Sequence, residues 1–473
     1  MRIMTVRSIR LFIPLASALA LAACAVGPDY VAPIPPVASS GPFLSADVPA
    51  FSAATVPENW WRLYKDPVLD GLIADALKAN TDIRVAVAHI ERARAGLRGA
   101  RADRLPQTQL NAGATYGRLP ESQRAQGSPR DDWSIDTGLS VGYEVDLFGR
   151  VSRGIEAAQG DVAAAEADAD AVRLAVVADT TRAYADAASG AARLKVAHEI
   201  VDLLDKSLRF TQRRHEVGLA TQLDVSRIAT LRQQRAADIP RIEAERQAAI
   251  FRLATLTGRP PAALPAIATV RSVGLEIAQP IPVGDGAALI ARRPDVRAAE
   301  RRLAAETARI GVSTADLYPR ITLGGSVGST GPGIGDLFGA GPLRWLLGPL
   351  ISWNFLNQEP ARARIAAAKA DTQAALATFD GTVLGALEET ETALSTYARA
   401  LDRRVALKAA RDQAESAARI TRAQLGEGAI DSLQSLDTER TFTETEAALA
   451  AQDAAVADAQ IDLFRALAGG WAT

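Results

Sequence analysis

Residues 135–147 alternate strictly. Ile135, Thr137, Leu139, Val141, Tyr143, Val145 and Leu147 fall on one side, and Asp136, Gly138, Ser140, Gly142, Glu144 and Asp146 on the other. A period of two puts the two sets on opposite faces of a strand. One apolar face and one polar face over that length is the pattern of a transmembrane β-barrel strand. Residues 107–117 alternate too, with Thr108, Leu110, Ala112, Ala114 and Tyr116 together. After Pro319 come Ile321, Leu323, Gly325 and Val327, and then Trp345, Leu347, Ile351, Trp353 and Phe355. An amphipathic strand of a soluble sandwich would look similar, but no further strands follow to build one.

The rest of the pattern has the helical period. Residues 150–217 lack proline and carry glycine only at 154, 160 and 190. Their apolar seam steps by sevens through Ile155, Val162, Ala169, Val176 and Ala183, jumps eleven to Leu194, and resumes at Val201 and Leu208. Sevens drive a left-handed supercoil and an eleven locally straightens it. At ~1.5 Å per residue such a helix reaches roughly 100 Å. Gly218 ends it, and a returning helix is expected from about 223 to 257, closed by Gly258 and Pro260-Pro261. An earlier helix is expected over 66–104, stopping before Pro106. Later helices are expected over 286–317, 361–425 and from 432 to about 468, with a turn at 426–431.

The order of elements repeats. Asp82-Ile83-Arg84 is echoed by Asp295-Val296-Arg297, and Leu105-Pro106 by Tyr318-Pro319, both 213 residues on. The unit duplicated is far longer than a solenoid repeat. The expected organisation is a signal peptide over 1–23, a Pro-rich tether over 24–59, a first repeat over 60–262, a linker over 263–284 and a second repeat over 285–473.

Arg2, Arg7 and Arg10 precede the apolar run 11–23, a layout too short to span a bilayer and typical of a secretory signal. It ends Leu21-Ala22-Ala23-Cys24, which resembles a bacterial lipobox. Cys24 is the only cysteine, so no disulfide claims it. The expectation is covalent diacylglycerol and an N-acyl chain on Cys24 and no other cofactor; the alternative is an ordinary signal that happens to end near a cysteine. Ala25 follows where lipoproteins kept at the inner membrane carry Asp, so this resemblance implies sorting to the outer membrane. Aromatics are scarce (5%), which suits closely packed helices. A net charge of −2 gives no electrostatic case for nucleic acid.

Nothing in the chain reads as catalytic. His89, His198 and His215 have no metal-ligand spacing. Glu388, Glu389 and Glu391 read as a solvated face. The glycine-rich stretch 328–342 lacks the Lys-Ser/Thr of a phosphate loop. Four strands, moreover, cannot close a barrel, since the smallest bacterial barrels need about eight. An open edge in lipid leaves backbone groups unsatisfied at several kcal/mol each. The barrel must therefore be shared between copies, and about twelve strands or more can enclose a pore. Long helices continuing it make a conduit.

Arg292-Arg293-Pro294-Asp295-Val296-Arg297-Ala298-Ala299-Glu300, followed by Ile310-Gly311 and Tyr318-Pro319, resembles the signature of the outer-membrane factor family. These are TolC-like efflux channels, here in their lipoprotein (OprM- and NodT-like) branch. Trp60-Trp61 before Asp66-Pro67, and Asp146-Leu147-Phe148-Gly149-Arg150, also match. The resemblance implies an α+β membrane protein: a trimeric 12-stranded transmembrane β-barrel, four strands per chain, continued by a long α-helical coiled-coil periplasmic tunnel with internal two-fold duplication. It implies a homotrimer in outer-membrane lipid, a periplasmic adaptor, and an inner-membrane pump of the resistance-nodulation-division type. Val217-Gly218-Leu219-Ala220-Thr221-Gln222-Leu223-Asp224 resembles the family's first tip motif, so Val217, Gly218, Leu219 and Asp224 are expected adaptor contacts. Gly426-Glu427-Gly428-Ala429-Ile430-Asp431 is the second tip. It lacks the Val-Gly pair, with Gly428 as the expected contact. The family's aperture falls at Leu436 and Asp437, with Asp431 also expected among the aperture residues and Gln434 where relatives can carry an acid. Asp437 read simply is an exposed helix carboxylate.

Three rival readings stand beside the drug-efflux channel: type I protein secretion, metal-ion export and a structural coiled-coil lipoprotein. The last explains the helices but not the paired strands. A thioether-lined copper route is excluded, because Met1 and Met4 are the only methionines and leave with the signal.

Overall fold

The computed structural model describes residues 25–34, 40–118, 120–123, 127, 129–277, 279–338 and 343–468. The signal segment and Cys24 lie outside them. The helices are α1 (Pro67–Ala79), α2 (Thr81–Ala102), α3 (Arg150–Glu216), α4 (Gln222–Ala236), α5 (Asp238–Leu256), α6 (Gly286–Arg292), α7 (Pro294–Ala315), α8 (Glu359–Gly426) and α9 (Ser432–Ala466). The strands are β1 (Phe51–Ser52), β2 (Gln107–Arg118), β3 (Asp131–Val145), β4 (Ile281–Pro282), β5 (Arg320–Gly331) and β6 (Leu343–Ser352).

The duplication holds to the residue in two elements. Helices α2 and α7 are each 22 residues long, and β2 and β5 each 12. Thr81 to Pro294 and Gln107 to Arg320 keep the 213-residue offset of the sequence repeat.

Three helices expected to be continuous are broken. Asn80 interrupts the first: its Oδ1 accepts from the Asp82 and Ile83 N–H groups at 2.8 and 3.2 Å, starting α2 afresh. Ala237 separates α4 from α5 in the returning helix. Arg293 separates α6 from α7: it is extended because Pro294 follows it, and the Pro294 ring, lacking an N–H, suits the first turn of α7. Two strand ends also shift. β3 stops at Val145, and Asp146 instead caps α3, accepting from the Val151 and Ser152 N–H groups at 3.0 and 2.8 Å. β6 stops at Ser352, and Trp353 beyond it donates its indole N–H to the Leu317 carbonyl.

The chain divides into two compact units that cut across the two sequence copies. The first, Met1–Pro33, His89–Glu166 and Ala298–Asp380, holds one antiparallel sheet of order β2-β3-β5-β6. The second, Ile34–Ala88, Ala167–Arg297 and Gly381–Thr473, holds the largest apolar core. There Trp60 is fully buried and stacks on Phe464 with ring centroids 4.7 Å apart. The seam residues of α3 behave as their spacing predicts. Ile155, Ala169, Val176, Ala183 and Val201 are buried, while Val162, Leu194 and Leu208 are half-buried.

The segment expected to be a free tether belongs to the body. Phe43, Phe51 and Val56 are buried, and β1 pairs in parallel with β4 from the expected linker. The Leu44 and Ser45 N–H groups donate to the Glu391 carboxylate at 2.6 and 2.9 Å. Proline content alone cannot show this, because the three apolar anchors are too sparse to make a period.

Candidate functional site

The sheet of the first unit is sorted by register into two chemically distinct faces. One row across it reads Leu110, Leu139, Val327, Trp345, and the next Thr108, Val141, Gly325, Leu347. On the other face the rows read Asn111, Gly138, Gly328, Arg344 and Gln107, Gly142, Gly324, Gly348. On that polar face Arg344 reaches across two strands to both Asp136 oxygens at 2.7 Å and donates to Thr330. The apolar face is open: Leu110 is 74% exposed and Leu347 78%. A soluble monomer rarely presents such a surface. Among the described residues β2 pairs only with β3 and β6 only with β5, which leaves each outer strand with an unpaired edge there. No described helix is long and apolar enough to cross a membrane, which says nothing of strands.

In the second unit the two helical turns have one construction. After α3, Gly218 sits at φ +77°. The Leu219 N–H returns to the Arg214 carbonyl at 2.7 Å and the Gly218 N–H to His215 at 2.9 Å. After α8, Gly428 sits at φ +72°, with Ala429 bonded to Gln424 at 2.9 Å and Gly428 to Leu425 at 3.2 Å. Both are Schellman stops that need a left-handed residue. Val217 and Leu219 are exposed at 69% and 66%. Asp224 closes a capping box with Thr221. The Thr221 backbone N–H, donating to its carboxylate, holds Asp224 below the usual carboxylate range.

The second turn differs in chemistry. Asp431 stands where Thr221 stands and caps α9, accepting from the Gln434 N–H at 2.8 Å, so its carboxylate already serves the helix end. Leu436 packs half-buried against the Ile200, Leu204, Ile228 and Leu231 cluster. Asp437 is exposed. Sequence reading missed Arg214, which donates to the Leu425 carbonyl at 2.7 Å and so ties one turn to the other. It also missed Glu439, buried beside Arg422, whose pKa burial raises. Nothing in the spacing of single charged residues marks either. Among the described residues no group of His, Cys, Asp and Glu could hold a metal.

The family model described as outer membrane efflux protein matches twice, over residues 72–259 and 287–469, one match to each copy of the repeat. The chain belongs to the outer membrane efflux protein family. It is therefore an outer-membrane efflux channel and not an enzyme. Among family relatives it is similar to outer membrane protein OprJ of Pseudomonas aeruginosa, with 33% identity over 96% of this chain and 94% of that protein. It is also similar to the antibiotic efflux pump outer membrane protein ArpC of Pseudomonas putida, 31% identical over 96% of this chain and 94% of that one. The solved outer-membrane channel OprN is 34% identical and covers 95% of this chain and 100% of its own, with a TM-score of 0.87.

Proposed function

We propose that three copies of the chain close one twelve-stranded barrel in the outer membrane and that this trimer is the exit duct of a tripartite efflux system. The observation that carries the reading is the four-stranded sheet with two unpaired edges and one exposed apolar face. Pairing β6 of one copy with β2 of the next satisfies every edge, puts the Leu110–Trp345 rows toward lipid and leaves the glycine- and charge-bearing rows around water. The helices continue the duct into the periplasm. The turns at Gly218 and Gly428 meet a periplasmic adaptor, through Val217, Leu219 and Asp224, and the adaptor joins an inner-membrane pump of the resistance-nodulation-division type. Asp437, with Leu436 beside it, lines the periplasmic aperture. Asp431 supports that aperture as a helix cap. Cys24 carries the diacylglycerol and N-acyl anchor. The cargo class is small organic molecules, the reading that the antibiotic pump named for the Pseudomonas putida relative favours.

Mass measurement of the purified protein in detergent tests the assembly. A complex three times the chain mass that dissociates on heating is expected; a monomer that keeps its strand content would overturn the shared barrel.

A further inference from the structure

A cavity of about 370 Å³ lies in the second unit, where the ends of α3 and α8 meet the starts of α4 and α9. Leu203, Phe210, Ile228, Leu425 and Leu436 make most of its wall apolar. That size and lining suit a small organic ligand, whose shape the wall fits and whose orientation a few polar groups fix.

The polar group that stands out is Glu439, which lines the cavity while only 1% exposed. Its Oε1 accepts from the Arg422 Nε, whereas Oε2 accepts no hydrogen bond among the described residues. A bare buried carboxylate oxygen is costly, and burial raises the Glu439 pKa accordingly. The last torsion of a glutamate is soft, so either oxygen can turn to the cavity. What the site lacks is therefore a hydrogen-bond donor. The other charged groups of the wall favour a cationic one. Arg422 is engaged by Oε1, and Lys206 is exposed, with its ammonium in water. Asp224, also on the wall, is held ionised by its capping box. A metal ion does not fit, because no group of His, Cys, Asp and Glu among the described residues could hold one.

We infer that this cavity binds an amphipathic amine, with its ammonium group on Glu439 Oε2 and its apolar body against Leu203, Phe210, Ile228, Leu425 and Leu436. Such a ligand touches both helix pairs at once, α3 with α4 and α8 with α9. It thereby clamps the segment that carries Leu436 and Asp437. The clamp rests on the aperture proposed above; the site itself does not.

The probe is naphthylmethylamine, titrated calorimetrically in mildly alkaline buffer into the full-length protein held in non-ionic amphipol. One saturable site per chain is expected. Naphthylmethanol, with the same rings and no charge, should bind at least tenfold more weakly. Glu439→Gln should weaken the amine tenfold or more and leave the alcohol within twofold. Ser435→Leu should abolish both, because Ser435 lines the cavity at 5% exposed and a larger side chain fills it while sparing the Glu439–Arg422 pair. No saturable binding, or amine binding retained in Ser435→Leu, would overturn the site. Equal affinity for amine and alcohol would overturn Glu439 as its anchor, and that comparison in the natural chain decides the point even if Glu439→Gln fails to assemble. Saturating amine should also cut single-channel opening threefold or more in the natural chain and not in Ser435→Leu. Binding without that cut would refute the clamp and count against the aperture, with the site intact.

Discussion

Thr221 and Asp224 complete each other at the first helical turn. The Thr221 N–H and hydroxyl both donate to Asp224 Oδ2, at 2.9 and 2.8 Å, and the Asp224 N–H donates back to the Thr221 hydroxyl oxygen at 3.2 Å. The Thr221 N–H at the start of α4 thereby gains an acceptor, and the Asp224 N–H gains a second one beside the Thr221 carbonyl at 3.1 Å. Thr221→Ala or Asp224→Ala should cost the turn about 1 kcal/mol, read as faster amide exchange over residues 219–226. Because the folded Asp224 pKa is lowered, its contribution is complete above the unfolded carboxylate range and is lost as pH falls through the folded value. Exchange normalised to Asp224→Asn should converge with the natural chain in acid. Equal protection at neutral pH would refute the assignment.

Asp66 does three jobs at once in the second unit. It caps α1 through the Val68 N–H at 2.9 Å, accepts from the Tyr184 hydroxyl at 3.0 Å and pairs with Arg271 at 2.7 Å, all while 5% exposed. Asp66→Ala should cost about 2–3 kcal/mol, because it strands Arg271 and uncaps the helix together. Tyr184→Phe should cost only about 1 kcal/mol. Thermal unfolding of the solubilised protein ranks the two; equal effects would mean that the cap and ion pair contribute nothing beyond the hydroxyl bond.

Asp186 of α3 and Asp458 of α9 share a confined site. Burial first, and then the neighbouring Asp458 charge, push Asp186 up to about 7, against a lowering effect of Arg182. Asp458 is raised too, again chiefly by burial. Arg182 also pairs with Asp462, so no cation is left wholly to Asp186. A raised carboxyl favours the protonated fold. The stability it contributes is full below the unfolded pKa near 4 and is lost as pH rises toward 7. The melting temperature of the natural chain should fall between pH 5 and 8, and Asp186→Asn should flatten that fall. Parallel curves for the two proteins would contradict the shared proton.

The repeated elements were readable because each rests on a sustained period. Helix α3 ends within a residue of its expected limit, and α8 begins and ends within two, since long runs of alanine and leucine leave little choice. The helix breaks were not read, although each carries a local signal: Asn80 as a cap, Pro294 at a first turn, and Pro240 in the first turn of α5. Periodicity continues straight across such points, so one capping residue is easily outweighed. The docking of residues 25–30 against α7 was invisible for another reason. Its seat depends on Gly27 meeting Gly311, a contact 284 residues apart that no local pattern encodes. At the second turn the cap itself was not read: Asp431, expected at the aperture, accepts from the Gln434 N–H and starts α9.

Asp437 remains the residue on which conduction should turn. It lies exposed on α9 six residues after the Asp431 cap, whereas Leu436 beside it faces the apolar cluster around Leu204. In a three-fold assembly one exposed carboxylate becomes a ring of three, which attracts cations and repels anions. Nine residues after its turn glycine Gly218 the first copy carries Arg227, where the second copy carries Asp437 nine after Gly428, so the first copy offers no matching carboxylate. Asp437→Asn should therefore lower the cation preference of single-channel currents in planar bilayers, and Asp437→Glu should retain it. If Asp437→Asn conducts with unchanged selectivity and opening, Asp437 is an ordinary surface carboxylate and the aperture lies elsewhere on the helices.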